Sequence, residues 1–462
     1  MKYKSTRGLI KGISFKEAVL MGLADDGGLL IPESIPSITQ DDLMALKDKN
    51  YQDVAFYIMS KFVGDIDKEV LKRLIDESYK TFDTSKIVPL VDLDDFYLLE
   101  LFHGPTLAFK DVALQFLGNL FEYVLGEKGE NLNIIGATSG DTGSAAIYGV
   151  RGKKGVKIFI LHPKGRVSKI QELQMTTVLD ENVFNLAVDG TFDDCQYIVK
   201  EIFSDLDFKR KYSLGSINSI NWARVLAQIV YYFYAYLQTK ESERLDKINF
   251  IVPTGNFGNI LAGFYAKMMG LPVNKLVIAT NENNILHRFV QYGDYSIKGV
   301  VQTYSPSMDI QIASNFERYL FYLYDEDADK VKASMENLRR ERFIKFSTEE
   351  LKKVHQDFDS TTTDNSETLK VINSVYHKKG YILDPHTACG VDGALKLKDK
   401  YEEKFICLST AHPAKFIDAV KKAINKEPVI PDRIQKLFDK EKRVYDMPND
   451  VSVVKKFIEQ HV

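Results

Sequence analysis

Apolar positions recur at helical spacing through Ser14–Leu23, Gln40–Phe62 and Asp67–Phe82, with Gly- or Pro-bearing turns between these stretches. Residues 1–95 therefore read as a small, mostly helical N-terminal domain. From Phe96 the period changes. Short apolar runs at Tyr97–Phe102, Lys157–Leu161, Val183–Val188, Asn249–Val252, Leu276–Ala279 and Phe405–Leu408 alternate with longer helical patterns. That alternation predicts parallel βα units and an α/β body over 96–462. Inside the body, 325–353 is charge-dense and reads as an exposed amphipathic helix pair or an insertion. No internal repeat or low-complexity linker interrupts the pattern.

Several predicted strands run into loops rich in Gly, Ser, Thr and Asn that then open a helix. They are GATSGDTG at 136–143, PTGNFGN at 253–259 and STAHP at 409–413. At the carboxyl ends of parallel strands, free backbone N–H groups and the helix dipole favour anions, so the loops predict a shared anionic site. Composition narrows the partner. Hydrophobic residues make up 45% of the 462 and charged residues 27%, the balance of a folded globular chain. The net charge of −3, with both signs mixed along the chain, offers no basic stripe for nucleic acid and leaves a small molecule as the expected partner. The longest apolar run, Val225–Leu237, is interrupted by Gln228 and too short for a bilayer; the opening residues carry no signal-like apolar stretch, and a cytoplasmic location is expected. Cys195, Cys389 and Cys407 form neither a CxxC pair nor an even disulfide framework, and the eight histidines show no metal-ligand spacing, so no metal is expected.

Lys110 lies in HGPTLAFKD, after an apolar strand and before the predicted helix Val112–Leu125. A lysine among apolar neighbours such as Leu107, Ala108 and Phe109 is the setting in which an amine gives up its proton and becomes a nucleophile. The same residue could also be a helix-start lysine reaching solvent. In 253–259 two glycines let the backbone approach a phosphate, and the helix expected to open near Ile260 points its positive end there. An Asn-capped strand-to-helix turn reads identically. The hydroxyls of Thr138, Ser139 and Thr142 supply donors for a carboxylate or phosphate, with a helix N-cap as the competing explanation.

Taken in order, HGPTLAFKD, GATSGDTGSA, PTGNFGN, DPHTACG and STAHPAKF resemble the motif set of the threonine synthase family, in the branch typical of fungi and many bacteria. SFKEAVLMGLADDGGLLIPE at 14–33 is similar to that branch's N-terminal domain. The resemblance runs over nearly the whole chain. It implies the fold type II architecture of pyridoxal-phosphate enzymes, with two parallel-sheet α/β lobes beside the helical N-terminal domain. It also implies a lyase that converts O-phosphohomoserine and water to L-threonine and phosphate by γ-elimination and β-hydration. An O-phosphohomoserine phospholyase or a catalytically silent cofactor-binding paralogue is the alternative.

By this resemblance Lys110 carries pyridoxal 5′-phosphate, and Gly255, Asn256, Phe257, Gly258 and Asn259 cradle its phosphate. Asp141 stands where many fold type II relatives have an asparagine near the cofactor's ring oxygen. The Thr410 hydroxyl faces the pyridine nitrogen, although Thr410 could equally cap the following helix. Ser139 and Thr142 hold the substrate carboxylate. Ser219 and Arg224, in SINWAR at the start of a helix, grip the substrate phosphate, a task that suits arginine's paired donors. Taken by itself, Arg224 is as readily an arginine on a solvent-facing turn. His386 and His412 sit in loops beside prolines and receive no role.

Overall fold

A computed structural model of the chain describes residues 1–239 and 247–462. Its contacts divide it into two compact units. The first comprises Met1–Asp76, Asp83–His103 and Ser219–Pro428; the second comprises Glu77–Phe82, Gly104–Asn218 and Val429–Val462.

The first unit is built on a six-stranded sheet. Its strands lie in the order Phe358–Thr362, Val273–Thr280, Ile248–Pro253, Phe405–Ser409, Phe96–Glu100 and Leu90–Asp92, all neighbours being parallel except the last pair. Helices cover the parallel strands, which explains their unbroken apolar reading: such strands bury both faces. Leu98, Ile251, Val277 and Cys407 from the sheet pack with Ile372, Ala388 and Val391 from the helices above it. Register places Ile251 beside Cys407 and Ser409 beside Glu100, so the loops after Pro253 and Ser409 leave the same edge of the sheet.

The N-terminal helices belong to this unit. Ser14 caps Phe15–Met21 with a reciprocal bond to Glu17, and Thr39 does the same for Gln40–Leu46 with Asp42. The stretch read as one amphipathic run over Gln40–Phe62 is two helices, because Asn50 accepts from the Asp53 N–H and starts a second one, Tyr51–Ser60. In the charge-dense stretch 325–353, helix Ala328–Glu341 is followed by the short strand Phe343–Lys345 and the start of helix Thr348–Asp357.

The second unit holds an all-parallel sheet in the order Tyr445–Met447, Val183–Val188, Val156–Pro163, Leu132–Ala137 and Leu214–Gly215. Its core joins Ile135, Phe159 and Leu186 to Ile198 and to Val454 and Ile458 of the C-terminal helix. Cys195, Cys389 and Cys407 are buried free thiols. No helix among the described residues is long and apolar enough to cross a membrane.

Candidate active site

In the second unit, Lys110 is the first residue of helix Lys110–Lys128, two residues earlier than the apolar pattern indicates. The turn before it is tightly held. Asp111, fully buried, accepts from the Thr106 N–H at 2.7 Å and the Thr106 hydroxyl at 2.6 Å, and Leu107 adopts φ 63°, a left-handed conformation that costs a side-chain-bearing residue about 1–3 kcal/mol. The clamp presents Lys110, 8% exposed, with its Nζ 3.5 Å from the Asp141 carboxylate and 5.2 Å from the centre of the Phe109 ring. Asp141 opens helix Asp141–Val150 and is itself buried. Ser139 is exposed and Thr142 half-buried in the same loop. Thr138, whose hydroxyl is among the expected anion donors, is buried. Its Oγ1 accepts from the N–H groups of Gly140 at 2.9 Å and Gly143 at 2.8 Å, and so shapes the loop.

In the first unit, the helix after Pro253 begins at Gly258, not near Ile260. Phe257 forms its N-cap with φ 65° and buries its ring against Phe316, Tyr319 and Phe358, leaving only its backbone to face a ligand. Among the described residues none accepts a hydrogen bond from the backbone N–H groups of Gly255 to Ile260. Gly255 is required by close approach: a Cβ there would lie 2.8 Å from the Ser307 carbonyl oxygen and 2.7 Å from Ile310 Cδ1. The Asn259 carboxamide oxygen accepts from the Tyr231 and Tyr232 hydroxyls, while its buried Nδ2 has no partner among the described residues.

Ser219 is tied to the same loop. Ser219 Oγ is 2.7 Å from Ser314 Oγ, which donates to Asn256 Oδ1 at 3.2 Å, and Asn315 Nδ2 donates to the carbonyls of both Ser219 and Asn256. Arg224 lies in the first turn of helix Trp222–Gln238 and is 4% exposed. It does not occupy a solvent-facing turn. Its Nε and Nη1 are buried without a partner among the described residues, and burial pulls its pKa down to about 10. The guanidinium is therefore a charged, desolvated donor at neutral pH, a state that favours an anionic partner.

Thr410, buried at the end of strand Phe405–Ser409, donates its N–H to Thr387 Oγ1 at 3.3 Å. Thr387 also contacts Ser409 Oγ at 3.1 Å and donates to Asp384, the N-cap of helix Pro385–Leu397. His386 lies between Asp384 Oδ1, 2.9 Å from its Nδ1, and the Ser307 N–H, which donates to its Nε2 at 3.2 Å. Those partners put its proton on Nδ1 and give it a bracing role. His412 accepts from the Ala414 N–H and packs edge-on against Phe102.

Sequence reasoning missed three buried supports. Gln171 donates to Asp141 at 2.8 Å, Gln174 to the Thr106 carbonyl at 3.0 Å, and the fully buried Arg318 to the carbonyls of Leu30 and Ile220 and to Asn315 Oδ1. A local signal existed for the first pair: Ser168 before an apolar-periodic stretch marks a helix start, and glutamines three residues apart then share one face. Nothing local marks Arg318.

Comparison with known proteins finds relatives over the whole chain. Residues 84–339 match the family described as pyridoxal-phosphate dependent enzyme, 2–79 the threonine synthase N terminus, and 387–458 the threonine synthase C-terminal family. The chain is 48% identical to a threonine synthase of Saccharomyces cerevisiae and 47% identical to one of Schizosaccharomyces pombe, the alignments spanning 100% and 99% of this chain and 98% of each relative. The crystal structure of a PLP-bound threonine synthase from Brucella melitensis superposes with a TM-score of 0.96 at 45% identity, over 100% of this chain and 99% of that one.

Proposed function

The chain belongs to the threonine synthase family of pyridoxal-phosphate-dependent enzymes, and from that premise we propose that its substrate is O-phosphohomoserine, with Lys110 as the lysine that carries the cofactor and moves the substrate's protons. The fold is the fold type II α/β architecture, the cofactor is pyridoxal 5′-phosphate, and the activity is that of a lyase that makes threonine.

The observation that carries the assignment of the phosphate loop is the run of N–H groups from Gly255 to Ile260 with no acceptor among the described residues. At a helix start such donors suit a dianionic phosphate, and Gly255 admits the close approach. Lys110, buried in the second unit, and Thr410, buried in the first, are the residues that would hold the rest of the cofactor. Bound, pyridoxal phosphate delocalises the negative charge left on carbon when a proton is removed beside the substrate's amine.

The chain's own residues do the remainder. Lys110 takes the substrate's Cα proton and then a Cβ proton, whose electron pair expels phosphate from Cγ; a proton is returned to Cγ, water adds its hydroxyl at Cβ, and Lys110 returns a proton to Cα, one flexible amine reaching successive carbons. Asp141 holds negative charge 3.5 Å from that amine and steadies it when it is protonated. Arg224 and Ser219 bind the substrate phosphate and hold it as it leaves Cγ, while Ser139 and Thr142 orient the carboxylate. Thr410 would offer the pyridine nitrogen a neutral hydroxyl rather than a carboxylate, a partner that would not enforce protonation there.

The test is an assay of purified protein with O-phosphohomoserine, following threonine and phosphate together, with borohydride reduction of the cofactor-loaded protein and peptide mapping of the label. Equimolar threonine and phosphate, with the phosphopyridoxyl mass on Lys110, support the reading. Phosphate released without threonine, or a label on another lysine, refutes it.

A further inference from the structure

Two buried glutamines on one short helix have no part in the chemistry described so far. Helix Lys169–Thr176 is started by Ser168, whose hydroxyl accepts from the Gln171 N–H, and the helix places Gln171 and Gln174 three residues apart on one face. Gln171 is 6% exposed and Gln174 fully buried. A buried carboxamide is retained at the cost of its desolvation, and here each one spends its donor on a segment that holds a proposed reacting group. Gln171 Nε2 donates to Asp141 Oδ1 at 2.8 Å, and Gln174 Nε2 donates to the Thr106 carbonyl at 3.0 Å, in the clamped turn four residues before Lys110. The loop is shaped for the first contact. Gly140 has φ 140°, and a Cβ there would lie 2.4 Å from the Gln171 Cδ and Oε1.

From this geometry we infer that Gln171 is a positioning residue of the reaction: it fixes the Asp141 carboxylate, ionised and in one orientation, against Lys110, while Gln174 holds the turn that presents Lys110. Asp141 is gripped from two sides, Gln171 at Oδ1 and Lys110 at 3.5 Å from Oδ2. A donor at Oδ1 favours the charged carboxylate and stops the group from rotating away when the lysine amine moves between substrate carbons. The inference rests on the assignment of Lys110 as the cofactor-bearing lysine. Other ionisable groups on the packed elements are engaged elsewhere. Asp111 is bound by Thr106, Glu172 pairs with Lys169 at 3.7 Å, and burial lowers the pKa of His162 on the neighbouring strand, which keeps it neutral.

Gln171→Glu and Gln171→Met, each as cofactor-loaded protein, separate positioning from mere packing. Glutamate has glutamine's shape but sets a second carboxylate against Asp141. The pair repels, the new group's pKa rises above its ordinary value near ~4.3, and only its protonated form can donate as the glutamine did. The expected result is a kcat/KM at least ~10-fold below the parent at neutral pH, recovering as pH falls, an acid-side rise the parent lacks. Gln171→Met keeps the length without a donor. It is expected to lose about tenfold, mostly in kcat, with no recovery in acid. In both, the pH at which the bound cofactor's visible absorbance changes is displaced from the parent's. Should Gln171→Glu fail to fold, as judged by its melting transition, Gln171→Met decides. Variants within twofold of the parent across the pH range, with the parent's spectral titration, overturn the inference. A borohydride label on Lys110 alongside such variants removes this inference alone, whereas a label elsewhere removes the proposed function beneath it.

Discussion

Replacing Arg224 by methionine should weaken catalysis and strengthen the fold. The guanidinium is buried with Nε and Nη1 unpartnered among the described residues, and burial lowers its pKa from the ordinary arginine value to about 10. At ~1.36 kcal/mol per pH unit, that fall corresponds to roughly 3 kcal/mol spent on keeping the charge in the folded protein. Because the folded state holds the proton more weakly than the unfolded chain does, this cost is present in full at every pH below about 10 and is relieved only as pH rises toward the ordinary arginine value. At neutral pH, Arg224→Met removes the cost while its unbranched stem keeps most of the apolar contact. A gain of about 1–3 kcal/mol, or a few degrees in the melting midpoint of the substrate-free protein, is expected. The same change removes the proposed charge-assisted contact to the substrate phosphate, a kind of contact worth ~1.5–3 kcal/mol, so kcat/KM for O-phosphohomoserine should fall roughly ten- to a hundredfold. Calorimetry and steady-state kinetics on one preparation read both effects. Inorganic phosphate should raise the parent's midpoint and leave the variant's unmoved. A parental kcat/KM, or a midpoint below the parent's, would mean that the guanidinium serves the fold rather than an anion.

Gly255→Val should cost cofactor retention on dialysis, since its Cβ would meet the backbone oxygen of Ser307 at 2.8 Å; Gly258→Ala, whose Cβ would meet side chains alone, the Asn315 carboxamide at 3.2 Å and Gln228 Oε1 at 3.8 Å, should retain more. Equal retention by the two would refute the close-approach argument. Thr387→Val deprives Asp384, Ser409 and the Thr410 N–H of a shared hydroxyl and should lower the melting midpoint by the equivalent of about 1–3 kcal/mol, with Thr387→Ser restoring it. His103 is 2.7 Å from Asp83 and 2.8 Å from Glu100; burial works to lower its pKa, but the two carboxylates outweigh it and raise it to about 9. A raised histidine pKa stabilises fully below the unfolded value of 6.5 and loses that contribution as pH climbs through about 9. Melting of His103→Gln should therefore fall below the parent at pH ~6 and converge on it near pH ~10, and a pH-independent gap would refute the ion-pair account.

What the sequence determined by itself was whatever depends on neighbours along the chain. The change of period at Phe96, the strand-to-helix loops at 136–143 and 253–259, and the lysine in HGPTLAFKD are readable because strand alternation, helix spacing and glycine turns are set within a few residues. Even there the ends moved: Lys110 and Gly258 each joined their helices two residues earlier than the apolar pattern indicated, since a helix's first turn is held by local backbone bonds that hydrophobicity does not report. Tertiary structure alone decided which polar groups are consumed by the fold and which are left for a ligand. Thr138 and Ser139 are adjacent and both carry a hydroxyl, yet one binds its own loop and the other is exposed. Arg224 and Arg318 are both buried arginines, but Arg318 meets the carbonyl of Leu30, 288 residues away, whereas Arg224 keeps Nε and Nη1 without a partner among the described residues. The physical reason is that a buried polar atom's cost or use is set by whether a partner arrives, and partners brought from that far along the chain are chosen by packing, which no local pattern encodes.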